Sequence, residues 1–168
     1  MNFKGGTEIK EGATMEETQT GKNAEKYFLE GYNCAQAVVL ALKDYCGLSE
    51  DALKKAVIGF GGGIGRQRLT CGAVSGMVTA LGLALSDGEN KGEIYALVRE
   101  ACEKFKNETG SIICGELLSG VKRDDSSPEP ESRTEAYYKK RPCALLCALA
   151  GDIAQEIISN AKTTNKDE

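Results

Sequence analysis

The sequence predicts an all-α protein, a single-domain bundle of six or seven helices with a glycine-rich loop. Three observations lead there. Apolar residues recur at helical spacing almost from end to end, β-type alternation is nowhere sustained, and the polar breaks between apolar runs carry helix caps and glycines. At 168 residues the chain is the size of one domain, able to bury about two-thirds of its unfolded surface.

Taken in order, residues 1–20 are polar and rich in Gly, Thr and Glu, which predicts a flexible N-terminal arm. The helical domain is expected over 21–163, followed by a tail at 164–168. Residues 22–30 form a short helix stopped by Gly31. Asn33 is placed to cap a nearly all-apolar helix from Cys34 to about Tyr45, ended by Gly47. Ser49 opens a third helix, with Glu50 and Asp51 in the first turn, where the positive dipole end favours acids. Its Ala52, Leu53, Ala56, Val57 and Phe60 fall on one face. The loop FGGGIGRQRL follows, and Thr70 is the expected cap of an apolar helix from Cys71 to about Leu85. Gly72, Gly76 and Gly82 inside that helix lower its propensity and point to close backbone approach by a neighbour. An amphipathic helix then carries Ile94, Leu97, Val98, Ala101, Cys102 and Phe105. Ser111 is expected to cap a short helix holding Cys114, Leu117 and Leu118, and residues 119–135 read as a polar loop. The last helix begins at Pro142, a favoured first position, and runs to about Asn160.

Seven cysteines stand beside no histidine and no tryptophan. The missing histidine excludes Ser-His and Cys-His catalysis, His-ligated zinc or iron, and the C-x-x-C-H haem attachment. Net charge is −4 with the basic residues scattered, so nucleic acid is not an expected partner. The N-terminal stretch has no apolar core of the signal-peptide kind, and the apolar runs fall short of the roughly 18 residues a membrane span needs. A cytoplasmic protein without a membrane partner is the expectation. In that reducing setting cysteines serve as metal ligands, redox thiols or small core residues rather than as structural disulfides.

The glycine loop fits neither the G-x-G-x-x-G nor the Walker phosphate pattern. It delivers a cysteine instead. Cys34, Cys71, Cys114 and Cys143 all fall in the first turn of a predicted helix, where unpaired N–H groups and the dipole stabilise an anion. A thiolate there is expected to have a lowered pKa, as a nucleophile or a ligand. Cys71 is the first candidate nucleophile, with Cys34 beside it. Gly61, Gly62 and Gly63 would let the backbone approach a cofactor, and Arg66 and Arg68 would add positive charge. Cys102 and Cys46 read as core. Cys147, one turn after Cys143 on the same face, reads equally as a resolving thiol, a further ligand or core.

The blocks GYNCAQAV, GFGGGIGR with CGAVSG, ICGELLSG and PCALLCALAGDIA resemble the C_GCAxxG_C_C family of redox-active proteins. The resemblance runs over roughly residues 22–160. It implies a small helical protein, of a kind found mostly in anaerobic bacteria and archaea, with redox or metal-binding activity. A similar domain occurs in split-Soret cytochromes, which carry haem and an iron–sulfur cluster. Matching places the family's four cysteines on Cys34, Cys71, Cys114 and Cys143. Thr70 stands where the family has glycine, and Cys46, Cys102 and Cys147 match no family position.

Three functions follow, in this order. The first is an electron-transfer protein with an iron–sulfur cluster on the four thiolates. The second is a metal-free thiol–disulfide protein or sensor. The third is a structural zinc module with four cysteine ligands. An unidentified redox protein is the expected partner, and the sequence leaves a homodimer open.

Overall fold

The computed structural model describes residues 18–164, so the arm up to residue 17 and the tail from residue 165 lie outside the described residues. Nine α-helices are present among the described residues: α1 Gln19–Leu29, α2 Cys34–Ala41, α3 Lys43–Cys46, α4 Glu50–Val57, α5 Gly72–Leu85, α6 Lys91–Thr109, α7 Cys114–Leu117, α8 Glu135–Lys140 and α9 Cys143–Thr164. A 3-10 turn, Ile58–Phe60, follows α4. There is no strand among these residues, and the one isolated bridge joins Thr70 to Ile113.

The helix count exceeds the expected six or seven for two local reasons. The run predicted from Cys34 to Tyr45 breaks at Leu42, whose backbone (φ −105, ψ 10) leaves the helical region and separates α2 from α3. Then α8 forms in a stretch that carried no apolar periodicity, because the Thr134 side chain accepts from the Tyr137 amide and caps it. Three boundaries also move. Thr18, not a residue near 22, caps the first helix, accepting from the Thr20 and Gly21 amides while its own amide and hydroxyl donate to Asp152 at 3.1 and 2.6 Å. Cys71 rather than Thr70 is the N-cap of α5, since pairing of Thr70 with Ile113 holds the backbone extended through Cys71. Ile113 rather than Ser111 precedes α7, and the Ser111 hydroxyl accepts from the Ile113 amide instead.

α2 and α5 lie at the centre, with α1 and α9 packed against α2, and α6 against α5 and α9. Phe28, Leu40, Leu53, Met77, Leu81, Phe105, Ile153 and Ile158 are fully buried among these helices. Of these, Phe28, Leu53, Met77, Leu81, Phe105, Ile153 and Ile158 belong to one apolar cluster that also takes in Cys46, Cys71, Cys114, Cys143 and Cys147. α9 is long and apolar enough to cross a membrane by length and composition, yet 61% of that window is buried inside the protein. Its apolar faces are spent on α1, α2, α5 and α6.

The expected close approach is found at Gly72 and Gly76. A Cβ on Gly76 would stand 2.7 Å from the Ala35 carbonyl oxygen and 3.1 Å from the Ala35 Cα, so α5 runs backbone to backbone against α2. Gly82, further along α5, faces open space. Gly76→Ala is therefore expected to destabilise by about 1–3 kcal/mol through overpacking. Gly82→Ala should stabilise by up to about 1 kcal/mol from helix propensity. Urea denaturation of the two variants checks this, and equal effects at both positions would contradict the close α2–α5 contact.

Candidate functional site

The loop between the 3-10 turn and α5 is a left-handed coil. Gly62, Gly63, Ile64, Gly65 and Arg66 are consecutive residues with φ between 58 and 71°, and Arg68 follows at 61°. Glycine takes this conformation without penalty, but Ile64, Arg66 and Arg68 each cost about 1–2 kcal/mol there. The coil is held by its own backbone: Gly65, Arg66, Arg68 and Leu69 amides donate to Gly59, Gly61, Gly62 and Gly63 carbonyls at 2.8–3.2 Å. Its exit then pairs with the start of α7. The Cys114 amide donates to Leu69 O at 2.7 Å, Gly115 to Arg68 O at 3.0 Å, and Cys71 to Ile112 O at 2.8 Å. That ladder sets Cys71 beside Cys114. A Cβ on Gly63 would fall 2.7 Å from the Cys114 Cβ, so a side chain is excluded there as well as the left-handed backbone being strained.

Cys34 arrives from the other side. It is the first residue of α2, behind a capping box in which the Asn33 side chain accepts from the Gln36 amide and Gln36 accepts from the Asn33 amide. Asn33 also donates to Ile58 O at 2.9 Å, tying the start of α2 to the turn before the coil. Gly72 lets α5 come so close that a Cβ there would lie 3.1 Å from the Cys34 Cβ. Cys143 is the first residue of α9, and Cys147 lies one turn on.

These pieces enclose one cavity of about 50 Å³. Cys34, Cys71, Cys114 and Cys143 all line it, together with Arg68, Arg133 and Arg141, and no carboxylate does. The volume is that of a few waters, the scale of a small inorganic group and not of a flavin or nicotinamide. Cys147 is fully buried behind the wall, its thiol 3.8 Å from the Cys34 carbonyl oxygen. Among the described residues, no three His, Cys, Asp or Glu side chains meet closely enough to hold a single metal ion. The cysteines surround a space without converging on a point.

Of the residues expected from sequence, Gly62, Gly63 and Arg68 line the cavity. Gly61 instead faces the Asn33 side chain, where a Cβ would lie 2.7 Å from the amide nitrogen. Arg66 is directed to the 119–135 segment, donating to Asp124 O at 2.6 Å and lying 3.6 Å from Glu131. Cys102 and Cys46 are away from the cavity, and the Cys46 thiol is spent on Leu42 O at 3.3 Å.

Sequence reasoning missed Arg133, Arg141 and Tyr137. Arg133 stands in the polar segment, but its guanidinium lies 4.5 Å over Phe28 and 4.8 Å over Tyr137, contacts worth about 0.5–2 kcal/mol each. Its Nη1 is the one buried side-chain nitrogen or oxygen among the described residues that has no hydrogen-bond partner. Arg141 is buried, pairs with Glu131 at 2.5 Å and lies 4.5 Å from the centre of the Tyr137 ring. The only sequence signal was the pair of arginines, Arg133 and Arg141, flanking Tyr137 and Tyr138.

The expectation of lowered thiol pKa values is overturned. Burial pushes Cys71 up from 9.0 to about 12, with the neighbouring Cys143 and Cys114 adding to it and the Ala73 and Val74 amides opposing. Cys114 is raised by burial against the pull of Arg68. At Cys34 the hydrogen bond from Cys143 pulls down, but the bond to Cys147 and burial outweigh it and leave the thiol well above its ordinary value. Cys143 is raised by its hydrogen bond to Cys34 and by burial. The helix-start field is present but loses to desolvation.

A space walled by four cysteines and edged by guanidinium groups gathers four of this chain's thiols in one place. Residues 32–157 match the family described as "Putative redox-active protein (C_GCAxxG_C_C)", and the chain belongs to this family. No curated protein and no solved structure matches the chain.

The thiol shifts set a pH dependence for the metal-free protein. A thiol held above its unfolded value gives stability that is complete below the unfolded pKa and is lost as pH rises through the folded one. Stability is thus expected to hold to about pH 9.0 and fall from there toward 12, where Cys71 titrates. Thermal melts of reduced protein across that range check it. A stability rising between these values would contradict the burial.

Proposed function

We propose that this is an electron-transfer protein in which Cys34, Cys71, Cys114 and Cys143 hold an iron–sulfur cluster. The observation that carries this reading is the wall of the cavity: four thiols from four separated segments, three guanidinium groups and no carboxylate. The donor set suits the group, since four cysteine ligands serve [2Fe–2S] and [4Fe–4S] clusters alike. A cluster spreads its irons over a wider span than one ion, so cysteines at the wall can serve it without meeting at a point. That is why this reading ranks above a four-cysteine zinc site.

The cluster, when bound, would take up and release one electron at a time. The chain supplies the rest. Cys34, Cys114 and Cys143 begin their helices and Cys71 caps one, so each sulfur sits where free N–H groups can offset the charge it acquires. Arg68 stands against Cys114, and Arg133, whose buried Nη1 has no hydrogen-bond partner, also lines the cavity. Leaving that donor buried and unpaired costs about 1–3 kcal/mol, which an anionic occupant within its reach would remove. The raised pKa values suit a ligand role, in which the metal displaces the proton. The electron partner is proposed to be a protein.

Iron and acid-labile sulfide analysis, with visible spectra, on protein purified without oxygen is the test. Iron and sulfide together with thiolate-to-iron absorption are expected, reduced at least several-fold in Cys71→Ala and in Cys34→Ala. Zinc without sulfide would move the assignment to the structural zinc reading. Metal-free protein after anaerobic reconstitution with iron and sulfide would remove the cluster altogether.

A further inference from the structure

The cluster reading leaves one thiol near the site without a task. Cys147 is 0% exposed and does not line the cavity. It is nevertheless joined to Cys34 twice. Its thiol lies 3.8 Å from the Cys34 carbonyl oxygen, and the two side chains are within hydrogen-bonding contact. Cys34 in turn stands between Cys143 and Cys147, in contact with both. Of these three cysteines, Cys34 alone is half-buried and the other two are buried.

A cysteine at the cavity wall, only partly buried as a residue, with an enclosed cysteine against it is the arrangement of an attacking and a resolving thiol. We propose that Cys34 and Cys147 form a reversible intramolecular disulfide, which fastens α2 to α9 when the cavity holds no metal. The reaction partner is a small-molecule disulfide. The Cys34 sulfur attacks one sulfur of that molecule, forming a mixed disulfide and releasing one small thiol. The Cys147 sulfur then attacks the Cys34 sulfur, the protein disulfide forms, and the second small thiol leaves. Two protein thiols are oxidised, one small disulfide is reduced to two thiols, and the two thiol protons pass to the departing sulfurs.

Cys147 is the resolving thiol in preference to Cys143 because of where each lies. Cys143 is the first residue of α9 and lines the cavity, where it is a proposed cluster ligand, whereas Cys147 lies behind the wall. Cys147 already rests on the backbone of Cys34. The buried position also explains why the small disulfide is attacked first at Cys34. The switch stands on the placement of the thiols and does not rest on the identity of the metal group.

The experiment uses the full chain, metal-free and reduced, treated with oxidised glutathione and mapped by peptide fragmentation after blocking the remaining thiols. The expected product in the wild type is an unglutathionylated chain with a Cys34–Cys147 linkage. Cys147→Ala should instead accumulate glutathione on Cys34, at several times the wild-type level, with no crosslink. Cys143→Ala should still close the linkage. A stable Cys34–glutathione adduct in the wild type overturns the proposal, as does a Cys34–Cys143 linkage there. Should Cys147→Ala fold poorly, the wild-type and Cys143→Ala maps decide alone. Iron binding is read separately: Cys147→Ala is expected to keep wild-type iron content on reconstitution, and a several-fold loss would make Cys147 a ligand rather than a resolving thiol.

Discussion

Everything at the site depends on how closely α5 can lie against α2. Two glycines one turn apart, Gly72 and Gly76, remove the side chains that would hold the helices at ordinary separation. Ordinary helix pairs keep their axes about 8–10 Å apart; here the Gly76 face meets the Ala35 carbonyl itself. This contact sets the cap of α5, Cys71, next to the first residue of α2, Cys34. The coil before α5 and its pairing with Ile112–Cys114 then bring in the third cysteine, and α9, packed across α1, α2 and α5, brings the fourth. Four local chain starts become one site because two helices touch.

The same packing decides the electrostatics. A helix start favours a thiolate by about 0.3–1 kcal/mol, up to about 2 in partly buried settings. The rise of Cys71 from 9.0 to about 12 corresponds to about 4 kcal/mol in the opposite direction. Desolvation therefore outweighs the dipole, and without a metal the thiols stay protonated at neutral pH. A metal that displaces the proton finds N–H groups and guanidinium charge already in place.

The segment between α7 and α8 acts as a strap over the coil. Asp125 bridges Arg68 and Arg123 at 2.5 and 2.7 Å, and Glu131 lies between Arg66 and Arg141. Through these pairs the strap fixes the arginines of the coil and delivers Arg133 to the cavity, stacked on Phe28 and Tyr137. Exposed ion pairs are individually worth little. Arg68, Arg66 and Arg141 keep only 11, 12 and 4% side-chain exposure, so this set is shielded and the strap is a structural part of the site.

The sequence by itself determined the helical class, most helix starts and the four candidate cysteines, because caps, glycines and apolar spacing act within a few residues of one another. Asn33 before Cys34, Ser49 before Glu50 and Gly47 after Cys46 could all be read without a fold. The break at Leu42, the helix after Thr134 and the shift of the α5 cap to Cys71 could not, since each is imposed by a partner distant in the chain or by a weak local preference. The same holds for chemistry. Cys71 and Arg68 could be placed at the loop from their neighbours alone, but only the tertiary structure turned Arg66 away, inserted Arg133, and set Cys147 against Cys34. Burial and pairing are properties of what surrounds a residue, and that surrounding is assembled from segments more than a hundred residues apart, as Cys34 and Cys147 are.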